Sequence, residues 1–393
     1  MTNGTSYGTQ LARPTLEAAA ELGARADTRW TELDAHCRLP ADLHEAALAA
    51  RLFRTLVPVD MGGTGGTPVE WFQLGVELST HEPSLGWVVA QGAAELGWIA
   101  AGADHDWAIE VLADPLGSSA STIAGRGELT IDGGTASLRG RWSFNSGVHG
   151  ATWIGGLSLV RRRSVADDSQ EVRFAWVPAE RAEIVEDWDP TGMRGTGSHS
   201  IVIAEQEIDP AWTFSPFEAT TNDRGPHRCL VGNGNWPIAG SVAATQLGAA
   251  RRALDEATSI VVDKAPPPDF TPLADNASVQ RALVRAEGLW RACRSSVEAE
   301  LCAMWDDATR RGELDPTRRV SLFAAHATAA EQSVAIVNAM CELTGTVAVD
   351  RAQPLSRSRR DAQALQGHLA TNGDAVERAG KVALGLLASE RRV

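Results

Sequence analysis

From Leu11 to about Ala113, apolar residues return at helical spacing. Leu16, Ala19, Ala20 and Leu22 form one stripe, and Leu43, Ala46, Ala47 and Leu52 form another. Pro40 is placed to start the second helix, since its φ is already helical and its missing N–H costs nothing there. The glycine-rich run Val57–Gly66 reads as a loop, without the Gly-Lys-Ser/Thr ending of a phosphate loop. A strongly apolar helix follows over Ser84–Ala103. The pattern changes at Asp114-Pro115. From Ser118 to about Phe214, short alternating runs such as Leu129–Ile131, Trp153–Leu159, Val172–Val177 and Ser200–Ile203 read as strands. Within them Ile131–Gly156 reads strand, turn, strand, strand. Asp132-Gly133-Gly134 supplies the tight turn, and Arg141–Ser146 alternates large and small side chains. After Pro226 helical runs return at Ala243–Val262, Ala277–Trp305, Arg318–Thr344 and Leu355–Leu387, and Pro266-Pro267-Pro268 closes the first of them.

The chain therefore reads as mainly α with a central β domain. A disordered lead-in over 1–10 precedes an N-terminal helical domain over 11–115, a central β domain over 116–224 and a C-terminal helical bundle over 225–393. No repeat occurs at solenoid spacing. A bundle of that length points to self-association.

Composition narrows the function classes. At 393 residues and 44% hydrophobic content the chain can bury a large core. A formal net charge of −14 argues against a nucleic-acid or anionic-membrane surface. Its one basic run, Arg161-Arg162-Arg163, is followed by Asp167 and Asp168 and reads as a solvated hairpin tip. Cys37, Cys229, Cys293, Cys302 and Cys341 lie scattered with no C-x-x-C spacing. That suits reduced thiols in a cytoplasmic protein, with no disulfide framework and no metal site. Met1–Gln10 lacks the plan of a signal peptide, and the apolar run Leu85–Ala103 carries Gln91 and Glu95 at its centre, which suits a buried helix rather than a membrane span. The expectation is a soluble intracellular protein.

Two places hold candidate chemistry. Gln91 and Glu95 stand one turn apart on a helix face, with Trp87 and Trp98 on neighbouring positions. A carboxylate amid so much apolar surface is either paired with an arginine or aimed into a substrate pocket, and both readings stand. Near the C-terminus, Asp361 and His368 are seven apart in Arg359–His368, about 10 Å along a helix axis, so both can face one cleft. A lone histidine at a helix end is usually structural, and periodicity alone does not lift His368 above that reading. Asp374 with Glu377 three residues on reads as the N-cap of the last helix. No G-x-G-x-x-G fingerprint, G-x-S-x-G elbow or H-E-x-x-H helix occurs.

Taken together, three segments carry a resemblance: Gly140–Gly147 (G-x-W-x-F-x-S-G), Trp188–Ser198 (WDPTGMRGTGS) and Pro354–His368, ending in Arg-Asp-x6-His. In that order the chain resembles the acyl-CoA dehydrogenase fold, with a β-barrel-like middle domain and a C-terminal four-helix bundle. More narrowly, it is similar to flavin-dependent monooxygenases of that fold, the oxygenase components of two-component systems. The likeness runs from Leu11 to about Gly385.

The resemblance implies a homotetramer that binds reduced flavin, FMNH2 or FADH2, supplied by a separate NAD(P)H:flavin reductase. The flavin would lie near Ser119, Ser121, Trp142, Asn145 and Ser146, and Lys264 either reaches its phosphate or is a solvated lysine. Oxygen would add at the flavin C4a carbon, and the hydroperoxide would pass one oxygen to an aromatic or polycyclic substrate. His368 stands at the family's catalytic histidine and Ser146 at a serine near flavin and substrate. A phenol of pKa ~10 is costly to ionise at neutral pH, so a general base at His368 makes chemical sense. Gln91, Glu95 and Trp98 would face the substrate. The related oxygenases often carry a histidine where Glu95 stands, and an acid there could receive an amine or hydroxyl. This leaves N- or S-oxygenation open, beside a dehydrogenase and a non-catalytic scaffold. The usual dehydrogenase glutamate position is Leu369 here, and leucine cannot be a base.

Overall fold

The computed structural model describes residues 13–132, 134–162, 171–218, 225–232, 235–268, 270–311 and 316–386. The lead-in 1–10, Gly133 of the hairpin turn and most of the Arg161–Asp168 segment lie outside the described residues, at least in part. Six helices come first: α1 (Arg13–Asp27), α2 (Trp30–His36), α3 (Ala41–Ala49), α4 (Pro68–His81), α5 (Pro83–Gly102) and α6 (His105–Ala113). Thr67 starts α4 with a full capping box, exchanging hydrogen bonds with Glu70, and Pro68 follows at the first helical position. Helix α5 is apolar on nearly every face and is buried almost throughout.

Among the described residues strands are confined to the middle: β1 (Ser119–Asp132), β2 (Thr135–Asn145), β3 (Trp153–Arg162), β4 (Val172–Pro178), β5 (Glu183–Val185), β6 (His199–Ile208) and β7 (Thr213–Phe214). They form one sheet in the order β5-β6-β2-β1-β3-β4-β7, with β1 and β3 parallel and the other neighbours antiparallel. Its inner apolar cluster gathers around Trp142, which is fully buried and donates its indole N–H to the Leu157 carbonyl at 2.9 Å. Gly125, Gly127 and Gly156 make room for that ring: a Cβ on Gly156 would stand 2.3 Å from its Cδ1.

The C-terminal part holds α7 (Trp236–Asp263), α8 (Ala277–Arg311), α9 (Pro316–Thr344), α10 (Pro354–Gln366) and α11 (Gly373–Ala383). Helix α7 packs against α4, α5, α8, α9 and α10 and is the axis of the core. The last predicted helical run is thus two helices, broken at His368–Asn372. Asn372, rather than Asp374, caps α11, because its Oδ1 accepts the Ala375 N–H at 3.1 Å. All five cysteines are free thiols.

One polar node joins these parts. Arg357 on α10 is 2% exposed and forks onto Glu82, which is 0% exposed and caps α5 by accepting the Ser84 N–H. Arg357 also reaches Asp34 on α2 at 3.2 Å and lies 3.8 Å from Asp361, one turn along α10. Removing one partner from such a node strands a buried charge, which costs far more than the pair itself contributes. Arg357→Ala should therefore lower unfolding stability by ~3–5 kcal/mol in urea melts; a loss below ~1 kcal/mol would show that this pair does not hold the parts together.

Candidate active site

Helix α5, strand β1, the loop before β6 and the end of α10 enclose a cavity of about 370 Å³. Its walls are unlike. On the helical side stand Trp87, Gln91 and Glu95 from α5, Ile238 from α7, and Leu365, His368 and Leu369 at the end of α10. On the sheet side stand Ser121–Ala124 of β1, Phe144 and Ser146 around the end of β2, and Trp188, Met193, Thr196 and Ser198 of the loop.

The sheet wall carries a run of hydroxyls. Trp87 Nε1–H donates to Ser146 Oγ at 2.8 Å, Ser146 and Ser198 pair at 2.8 Å, Ser198 and Thr196 pair at 2.6 Å, and Thr196 donates to the Met193 carbonyl at 2.9 Å. Every proton is used when the chain runs from Trp87 to Met193. Beside it, Ile123 and Ala124 have no partner in the ladder to β2 or in that to β3, because the β1–β3 register shifts between Thr122 and Gly127. Phe144 bounds the opening with a left-handed backbone, φ 65°, and its ring meets Trp188 edge-on.

The loop is held from outside. Asp361 Oδ1 accepts the Met193 N–H at 2.6 Å, and Arg194 donates to the Asp34 carbonyl at 2.7 Å. Gly192 lets it press on α10, where a Cβ would stand 2.2 Å from the Arg360 carbonyl oxygen. His149, Glu186 and His199 converge at its other end. His199 Nδ1 accepts the Trp188 N–H at 3.0 Å, so the neutral ring carries its proton on Nε2, 3.1 Å from Glu186. Such a nitrogen is no ligand for a metal.

Glu95 is 5% exposed and is the one charged residue of α5. Its Oε2 accepts from Ser119 Oγ at 2.9 Å and its Oε1 from the Ser121 N–H at 3.1 Å. No arginine pairs with it among the described residues. Burial pushes its pKa up to about 8 against these hydrogen bonds, so at neutral pH it is a carboxylic acid. His368 shifts the other way: burial lowers its pKa to about 4, and the ring is neutral. It follows Gly367, the C-cap of α10, packs edge-on against Trp87 and accepts the Ala370 N–H on Nδ1 at 3.2 Å. The neutral tautomer that this fixes has its proton on Nε2.

Of the residues expected from sequence, Gln91, Glu95, Ser121, Ser146 and His368 thus meet around one cavity. Ser119 stands behind Glu95 as its donor. Others fall elsewhere. Trp98 points into the core, giving its N–H to the Leu230 carbonyl and its ring to Phe174. Trp142 lies inside the sheet's own cluster, and Asn145 is fully buried, bonded to the Trp142 carbonyl. Lys264 Nζ donates to the Thr344 carbonyl at 2.6 Å, closing the end of α9. Asp361 faces Met193 and Arg357 rather than the cleft, since α10 ends before His368. Thr196, Ser198, Trp188, Phe144 and Ile238 were not singled out from sequence. The first three lie inside or at the end of the Trp188–Ser198 segment, which was the available signal.

A flat heteroaromatic ring with a polar edge fits this lining. Apolar faces come from Ile123, Ile238 and Leu365, and the hydroxyl run offers its remaining oxygen lone pairs to the edge.

Comparison with known proteins supports the fold. The family model described as acyl-CoA dehydrogenase, C-terminal domain, matches residues 241–373. Indole-3-acetate monooxygenase of Pseudomonas putida is 27% identical over 95% of this chain and 94% of its own. The oxygenase component of the FADH(2)-dependent resorcinol hydroxylase of Rhizobium sp. is 27% identical over 86% of each. The fold is that of XiaF from Streptomyces sp., solved in complex with FADH2 and glycerol, at TM-score 0.86 and 21% identity, covering 95% of this chain and 96% of that one.

The shifted Glu95 has a thermodynamic signature. An unfolded glutamate ionises near 4.5, whereas the folded one keeps its proton up to about 8, so stability falls as pH rises through that window. Glu95→Gln removes the loss. Its melting temperature relative to the parent should climb between pH 5 and pH 8, each unit being worth up to ~1.4 kcal/mol; a difference that does not change with pH would place an ionised carboxylate at that site.

Proposed function

We propose that this chain, a flavin-dependent monooxygenase with the acyl-CoA dehydrogenase fold that takes its reduced flavin from a separate reductase, oxygenates an aromatic small molecule in the cavity between α5 and β1. The observation that carries this reading is the pairing of a hydroxyl-lined sheet wall with an apolar wall bearing neutral Glu95 and neutral His368. Ser146, Ser121 and Ile123 would hold the flavin ring, which when bound supplies the electrons that activate O2, and the transferred atom comes from O2 itself. Indole-3-acetate and resorcinol in the relatives' names are aromatic, in keeping with a ring held between Trp87, Phe144 and Trp188.

The protein's own part is orientation, exclusion of water and placement of protons. His368 meets a ligand as a neutral imidazole with Nε2–H available. A general base needs a free lone pair on that nitrogen, which requires the Ala370 contact to break. His368 therefore acts first as a hydrogen-bond donor that orients the substrate and stabilises negative charge developing on it. Gln91 and Glu95 lie on the same wall, one turn apart, and contact the substrate rather than the flavin. The dehydrogenase alternative needs an ionised carboxylate at the cavity. Leu369 stands where that group would be, and Glu95 keeps its proton at neutral pH.

The homotetramer rests on the family resemblance, and five free thiols support a cytoplasmic setting.

The test is oxygen incorporation. With a flavin reductase, NADH and labelled O2, at least one aromatic of a panel of resorcinol, 3-methylindole, tryptamine and indole-3-acetate should gain one labelled oxygen; peroxide release with no labelled product from any of them would overturn the reading. His368→Ala should cut turnover ~10²–10⁴-fold with flavin affinity kept. His368→Gln, which restores a donor but no base, should recover most of that loss. Equal losses in the two variants would return His368 to the role of base.

A further inference from the structure

Charge inside the cavity is one-sided. Among the described lining residues no lysine or arginine occurs, and Glu95 and His368 are the only titratable groups. Facing Glu95 from β1 are the Ser119 hydroxyl and the Ser121 N–H and hydroxyl, and the end of α10 offers the neutral His368 ring. Helix α7 contributes only Ile238 to the lining. A ligand carboxylate would enter this space with no counter-charge, beside a group that must stay protonated to tolerate it. A ligand cation would find the one group able to become its counter-ion, already held in place by three donors that favour the ionised form.

Resting on the oxygenase reading above, we infer that Glu95 selects the substrate: the cavity takes an aromatic ring bearing a basic nitrogen and disfavours the matching carboxylate. The ammonium group pairs with Glu95 while the ring lies toward Trp87 and His368. Glu95 loses its proton to solvent as the cation arrives, so the pair forms with a balanced charge and no net charge is left buried. Gln91, one turn before Glu95, can accept a further hydrogen bond from the same nitrogen through its side-chain carbonyl.

Tryptamine, indole-3-acetate and 3-methylindole share one ring and differ in charge, and their binding to the full-length protein loaded with oxidised flavin can be followed by calorimetry. Tryptamine should bind about tenfold or more tightly than indole-3-acetate, with 3-methylindole between them. In buffers of different ionisation enthalpy, tryptamine binding at pH 7 should release close to one proton, as a carboxyl of pKa about 8 requires. Glu95→Gln should erase both the preference and the proton release, while its flavin affinity stays within a few-fold, as measured in the same titration series. Equal or tighter binding of the carboxylate, failure of tryptamine to bind, or an unchanged preference in Glu95→Gln would overturn the proposal. Loss of flavin binding by the parent protein would instead sink the oxygenase reading, whichever ligand is preferred.

Discussion

Arg357 is a cation with almost no water around it, and its partners decide where everything near the cavity stands. Its burial works against its charge, and the Glu82 and Asp361 carboxylates more than offset this, so the guanidinium stays ionised. Glu82 caps α5, which carries Trp87, Gln91 and Glu95. Arg357 itself sits on α10, whose end carries His368. Asp361, one turn along, takes the Met193 N–H and so fixes the loop that supplies Thr196 and Ser198. Three walls of the cavity are thereby referred to a single side chain. A fork of guanidinium donors suits that task better than a lysine, because each partner fixes the direction of the next.

Burial also explains why the cavity is neutral although it contains an acid and a base. The same loss of solvent raises the carboxyl of Glu95 and lowers the imidazole of His368, since in each case the charged form is the one that suffers. At pH 7 the two face the cavity as hydrogen-bonding groups without charge, and a ligand decides which of them ionises. The hydroxyl run from Ser146 to Thr196 adds polarity without charge on the opposite wall. Such a space excludes ions that bring no partner and holds rings well, which is what an oxygen-transferring site needs to keep water out.

Much of the fold was legible because it rests on local rules. The apolar face of α5, the switch to alternating runs after Asp114-Pro115 and the return of helices after Pro226 follow from period and punctuation. The cavity was legible only where a residue breaks those rules: Glu95 and Gln91 stood out as polar positions in an apolar helix, and both line it. Trp98 shares that helix and was grouped with them, yet helical spacing does not say which indole meets a distant carbonyl, and Leu230 is 132 residues away. Trp142 and Asn145 lie in a strand whose alternation breaks at Phe144, where a left-handed backbone turns that ring out and Asn145 in, and period two does not foresee such a break or the socket that glycines across the sheet make for Trp142. Lys264 is bound to a carbonyl 80 residues on. His368 was found by the Arg-Asp-x6-His pattern, while the helix break that turns it away from Asp361 came from Gly367 closing α10 early.

The frame and the recognition groups use different residues on the same elements. Glu82 and Glu95 are thirteen positions apart, which is about 20 Å along α5. At that distance, and with no shared partner, substitutions at the two sites should act independently. Arg357 and His368 are separated in the same way along and beyond α10. The fold can thus exchange the group at position 95, and with it the charge preference of the cavity, without disturbing the node that aligns the walls.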